Sequence, residues 1–242
     1  MSVPPSSKAP PSGTESAEPI CAEDVAACDH APASRRGRPS VAEAGQLSGK
    51  ILDASWEVLL AEGFESFTFD RVAKHARIGK ATIYSRFSSK YELMHALLVR
   101  RNELRRDFIL ALGVGLPFLE AHCVRGAQIV QMLTSREGKL TERLVDWLDQ
   151  EKGGLPEAGV RAEVWRDAIE SIAGTFAQAN ASGEASIPDV VGAARFWLEG
   201  LLGHARVMDS QGPVLPECHQ EWARNYVRFF FTGIASLPPN QG

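Results

Sequence analysis

The residues of this chain best suited to chemistry lie between Phe67 and Lys90, in the run FTFDRVAKHARIGKATIYSRFSSK. Lys80, Ala81, Tyr84 and Ser85 fall on one side of a short helix that begins near Lys80, while Ile83 and Phe87, four apart, point the other way. The outward set is small, cationic and hydroxyl-bearing. Such a face breaks no covalent bonds. It suits hydrogen bonding to base edges and phosphate oxygens, because short tips reach into a major groove while flanking cations hold the backbone. On that reading Lys80 meets a guanine edge or a phosphate, and the Thr82 and Tyr84 hydroxyls bond phosphate. Lys90 clamps the backbone beyond the helix, and Thr68, Ala81, Ser85 and Arg86 complete the contact set. The rival reading is an ordinary helical hairpin whose polar face is merely solvated.

Positioning such a helix takes three neighbours. Thr68 caps a preceding helix whose Phe69, Val72, Ala73 and Ala76 share a buried face. Upstream, Ile51, Leu52, Ser55, Trp56, Leu59 and Leu60 form an amphipathic helix stopped at Gly63. Downstream, Ser89-Lys90-Tyr91-Glu92 is a capping box opening a further helix.

The run from Lys50 to Leu98 resembles the amino-terminal domain of the TetR family of bacterial transcriptional regulators. The residues that carry the resemblance are Ile51-Leu52-Asp53-Ala54, Glu62-Gly63-Phe64, Phe67-Thr68, Val72-Ala73, Ala81-Thr82-Ile83-Tyr84-Ser85-Arg86-Phe87 and Ser89-Lys90. Two positions depart from the family's usual pattern. Arg77 stands where the turn commonly has glycine, and Gly79 where serine commonly precedes the recognition helix. An arginine held at positive φ costs on the order of 1 kcal/mol, and a glycine cap loses only about a few tenths relative to serine.

Charge supports the placement. The net charge is -4, yet residues 35–106 carry 14 lysines and arginines against 8 acidic residues, while the segments on either side are acidic. Basic charge gathered at one motif is the footprint of a phosphate-binding face. Residues 1–34 are rich in Pro, Ser and Ala without an aromatic, so they bury too little to offset ordering entropy and read as disordered. A short basic arm follows, in which Arg36 and Arg38 reach phosphates or a minor groove, or serve only as a solubilising linker.

Other chemistries find little support. Cys21, Cys28, Asp29 and His30 lack a zinc spacing and a second ligand pair, so no metal and no cofactor are expected. Cys123 beside His122 is a thiol sensor or a plain core cysteine. HExxH, a phosphate-binding glycine loop and a nucleophile elbow are all missing, which argues against an enzyme. No apolar run approaches the ~18 residues that span a bilayer, and the amino terminus lacks a secretory pattern, so a cytoplasmic protein, at the bacterial nucleoid when DNA-bound, is expected.

Beyond residue 104 the apolar periodicity is helical throughout and no strand alternation of useful length occurs, so the class is all-α. The expected organisation is a tail with its arm over 1–40, a three-helix helix-turn-helix domain over 41–104 with its motif at about 67–87, and a larger helical regulatory and dimerisation domain over 105–242. The two last long helices carry more apolar surface than one neighbour needs. The resemblance implies that they pair with a second copy, and Leu198, Leu201, Leu202, Trp222, Tyr226 and Phe229 are the candidate interface. Phe118, His122, Trp147, Trp165, Phe176 and Trp197 are candidates for the wall of an effector cavity or for plain core packing. The function so implied is a homodimeric, sequence-specific DNA-binding regulator of operator DNA, a repressor released by a small, largely apolar effector. The alternatives are a ligand-independent all-α interaction protein and a helical small-molecule enzyme.

Overall fold

The computed structural model describes residues 41–152, 159–211 and 216–236. The tail, the arm with Arg36 and Arg38, Cys21, Cys28 and the loop at 153–156 lie outside the described residues.

Among the described residues every regular element is a helix. They are α1 (Val41–Glu62), α2 (Phe69–Ala76), α3 (Lys80–Tyr84), α4 (Lys90–Ala111), α5 (Phe118–Thr134), α6 (Arg136–Lys152), α7 (Val160–Ser182), α8 (Val190–Gln211) and α9 (Pro216–Ser236). The all-α expectation holds. Helix α1 stops where Gly63, at φ 82°, adopts a left-handed conformation that a side chain would strain.

Two cores organise the chain. The first joins Ile51, Trp56 and Leu59 of α1 with Val72 of α2, Ile83 of α3 and Leu93, Met94, Leu97 and Leu98 of α4. Leu140, Leu144 and Leu148 of α6 close it from the far side. The second core joins Ile129 and Val130 of α5, Ile172 and Phe176 of α7, Trp197 and Leu201 of α8, and Val227 and Phe231 of α9. Helix α4 serves both, since its Ile109 belongs to the second core. The apolar spacing predicts that the face of α4 bearing Leu93 and Leu97 continues through Leu104 and Phe108, but those two are 46% and 51% exposed, and Ile109 takes the buried place instead.

Helix α6 is strapped across the first core at both ends. Near its start the Arg136 guanidinium donates to the Leu60 carbonyl, Arg101 pairs with Glu137 at 2.9 Å, and Arg105 donates to the Thr141 hydroxyl at 2.5 Å. Near its end Trp147 lies 5.3 Å from the Phe64 ring.

Candidate nucleic-acid interface

Local sequence builds the motif step by step. The Thr68 hydroxyl accepts the Arg71 amide at 3.3 Å and starts α2. Phe69, Val72, Ala73 and Ala76 are buried, as their spacing requires. The turn is made by Arg77 at φ 55°, ψ 48°; its amide bonds to Lys74 O, and the Ile78 amide reaches back to Ala73 O at 3.0 Å. That pair of bonds is the Schellman termination, with arginine in the left-handed place usually given to glycine. Gly79 is extended at φ -70° and ψ 142°, so it caps α3 without needing a left-handed backbone. Ile83, fully buried, and Phe87 pin the helix from below.

What remains outside is the expected face. Lys80, Ala81, Tyr84 and Ser85 are exposed, with Thr82 and Arg86 half-buried beside them. The Tyr84 ring rests on Phe69, centroids 4.9 Å apart, which aims its hydroxyl outward while 51% of the residue stays exposed. Ser85 Oγ donates to Thr82 O at 2.8 Å, leaving its lone pairs as acceptors. Beyond the motif, the Ser89 hydroxyl caps α4 through the Glu92 amide at 3.1 Å. Glu92 returns its carboxylate to the Ser88 hydroxyl and amide, both at 2.7 Å, which holds its pKa below the ordinary value.

The cations divide into engaged and free. Lys80 is paired with Asp70 at 2.9 Å. Arg71 pairs with Glu62, Arg100 with Asp53 at 3.0 Å, and His75 with Glu57 at 2.5 Å. Lys90, expected to clamp phosphate, instead sets its ammonium 4.7 Å from the centroid of Phe64, 5.3 Å from Trp147 and 5.8 Å from Phe67. Ring faces attract a cation, and the amino end of α4 disfavours one on its axis, so the side chain turns toward the aromatics. Lys74 and Arg77 are exposed and have no carboxylate partner among the described residues. Neither was among the contacts expected from the sequence, although their charge and place beside the turn were in plain view.

The other candidates separate. Phe118, His122, Phe176 and Trp197 do come together, with the His122 ring 4.3 Å from Phe118, 5.1 Å from Phe176 and 5.6 Å from Trp197. Phe231, which the sequence reading missed, completes the cluster at 5.7 Å. His122 Nδ1 donates to Phe118 O at 2.7 Å and Nε2 meets the Thr175 hydroxyl at 3.0 Å. Burial pushes its pKa down to about 4, so the ring is neutral at pH 7. The Trp197 indole N–H is buried without an acceptor among the described residues. Trp147 lies elsewhere, in the first core beside Phe64 and Lys90, and Trp165 lines a surface groove between α7 and α8. Neither belongs to the His122 cluster.

The interface candidates need a similar correction. Leu198 and Leu201 are buried within the chain's own second core and offer nothing to a partner. Leu202, Trp222 and Tyr226 are half-buried, Phe229 is 79% exposed, and Phe196, not foreseen, is 64% exposed. No group of three or more His, Cys, Asp or Glu suited to a metal occurs among the described residues. No described helix is long and apolar enough to cross a membrane.

A short helix pinned from beneath by Ile83 and Phe87, carrying basic and hydroxyl groups outward after a tight turn, defines the helix-turn-helix class. Residues 51–97 match the family model described as bacterial regulatory proteins, tetR family. The HTH-type transcriptional regulator SrpR of Pseudomonas putida is 35% identical over 78 residues, which is 32% of this chain and 37% of that one. The uncharacterized HTH-type transcriptional regulator YdeS of Bacillus subtilis is 32% identical over 113 residues, 46% of this chain and 53% of its own. This chain thus spans roughly a third to a half of those relatives. A TetR-family transcriptional regulator from Pectobacterium atrosepticum superposes with a TM-score of 0.61 at 15% identity, over 83% of this chain and all of its own, a likeness that establishes the fold. Over residues 51–97 the amino-terminal domain is thus similar to that of the TetR-family regulators. The relatives are transcriptional regulators, not enzymes.

Proposed function

We propose that the protein is a homodimeric, sequence-specific DNA-binding transcriptional regulator acting in the cytoplasm, most simply a repressor that leaves its operator when a small apolar effector binds. The observation that carries this is the α3 face: Lys80, Ala81, Tyr84 and Ser85 are turned to solvent by two buried residues beneath them. In this reading the head over 41–104 places α3 in a major groove, and the remaining 105–242 senses and dimerises. Thr68, Thr82 and Arg86 bond the backbone beside it, and Arg36 and Arg38 extend the contact along the duplex. Lys90 stays in its aromatic cage and meets phosphate only where that cage is opened. Two-fold pairing through the outer face of α8 and α9, where Phe196 and Phe229 are exposed, sets two recognition helices about one turn, ~34 Å, apart or somewhat more.

The effector is best accommodated among Phe118, His122, Phe176, Trp197 and Phe231. A buried indole N–H without an acceptor costs about 1–3 kcal/mol, which a ligand carrying one acceptor in an apolar frame would recover. Its action is a population shift, favouring a head spacing that no longer fits successive grooves. Selection of bound fragments from random DNA tests the reading. Enrichment of a near-palindrome is expected, with light scattering giving twice the 26.3 kDa chain mass and Phe229→Arg shifting it toward monomer. No enriched sequence would overturn it. Loss of operator binding on adding lipophilic compounds supports the effector arm; no response across a broad panel favours a ligand-independent repressor.

A further inference from the structure

We infer that Asp70 is a specificity-determining residue: its carboxylate holds the Lys80 ammonium at the rim of the recognition helix so that Lys80 reads a base rather than clamping phosphate. This rests on the DNA-binding reading above and deepens it. Lys80 opens α3 and Asp70 sits in the first turn of α2, so the two meet only because the turn at Arg77 folds one helix back on the other. Both carboxylate oxygens lie 2.9 Å from Nζ. The partners are well exposed, with side chains 48% and 68% accessible. An exposed pair of this kind adds little to folding stability. Its consequence is therefore sought in what the pair presents to solvent.

A free lysine is a mobile point charge that follows phosphate, the densest negative charge on a duplex. Paired with Asp70, the ammonium keeps its charge, but the pair as a whole is neutral and releases few counterions. Its direction is fixed, and at least one N–H remains unspent. The acceptors that such a pre-aimed donor suits are N7 and O6 of guanine at the major-groove edge. Lys80 is also held more firmly protonated by that hydrogen bond. The Tyr84 ring, seated on Phe69 next to Asp70, is aimed from the same turn of α2. The first turn of α2 thus orients two of the outward residues of α3.

The test is a cycle of Asp70→Asn, Lys80→Gln and the double variant, each measured against a selected operator and a random duplex over a range of salt. Asparagine preserves shape at an exposed position, and unchanged far-UV circular dichroism checks the fold. Asp70→Asn should bind random DNA more tightly, steepen the plot of log K against log salt by about 0.9, and lower the operator-to-random ratio roughly five- to tenfold, the share of one base contact. Lys80→Gln should lose a similar part of the ratio, and adding Asp70→Asn to it should change the ratio no further. Equal tightening on both duplexes, with the ratio unchanged, would reduce Asp70 to simple charge subtraction and overturn the inference. So would an effect of Asp70→Asn on the ratio that persists without Lys80. A wild-type protein that enriches no duplex sinks the DNA-binding reading itself, a different result from either.

Discussion

Arg77 shows how much one backbone angle constrains. It holds φ 55° at the end of α2, where an L side chain crowds its own carbonyl, at a cost of about 1 kcal/mol or slightly more. The Schellman bonds to Ala73 and Lys74 keep it there. Arg77→Gly removes the steric cost but gives the unfolded chain more freedom, so the net gain is expected to be modest, about 0.5–1 kcal/mol, or roughly 1–4 °C in Tm for a chain of this length. Arg77→Ala keeps the strain and should leave stability nearly unchanged. Thermal denaturation of both variants checks this: if alanine stabilises as much as glycine, the strain is not where the angle places it. The pair also separates conformation from charge, because both lose the cation while only one relaxes the turn. This residue was legible beforehand, since glycine's usual place in the turn and the arginine in it are both properties of a few adjacent positions.

At the scale of elements, legibility followed locality. The caps at Thr68 and Ser89 and the inward set of α2 and α3 are decided within one or two turns, and all appear as their spacing requires. The Lys90 cage was invisible because one of its rings, Trp147, comes from α6, 57 positions away in sequence. Leu198 and Leu201 were misplaced for another reason. Helix α8 is apolar on more than one side, and periodicity alone does not say which stripe meets the chain's own core and which meets a second copy. The cage also gives α6 a handle on the reading head. Trp147→Leu keeps an apolar filler but removes the ring face over Lys90, and is expected to cost about 1–2 kcal/mol of stability, part packing and part cation–π. With Lys90 released toward phosphate, the salt slope of DNA binding should steepen by about 0.9. Adding Lys90→Met to Trp147→Leu should return the slope to its starting value; if it stays steep, the cation released is not Lys90.

For the molecule as a whole, the sharpest test is its response to acid. His122 ties α5 to α7 in the middle of the second core, neutral and ringed by Phe118, Phe176, Trp197 and Phe231. Burial lowers its pKa to about 4, with the nearby Arg125 adding to the effect, against an ordinary value of 6.5. Between those values the unfolded chain binds the extra proton and the folded chain refuses it, so the sign is fixed: stability is fully present above about pH 6.5 and declines as pH falls toward 4. Integrated over that window the loss is on the order of 3 kcal/mol. His204, stacked on Trp222 at 3.6 Å, is lowered by burial and by His219 and acts in the same direction, more weakly because it is more exposed. Lowered Glu92 contributes only at more acid pH, where carboxylates protonate. Urea unfolding from pH 8 to 4, at one fixed protein concentration so that any dimer contributes equally, should give a plateau above pH 7 and then a fall. His122→Gln retains a hydrogen-bonding side chain without the titration. It should flatten most of that fall even where it lowers the plateau, whereas a variant with the original slope would move the acid response from the second core to His204 on α8.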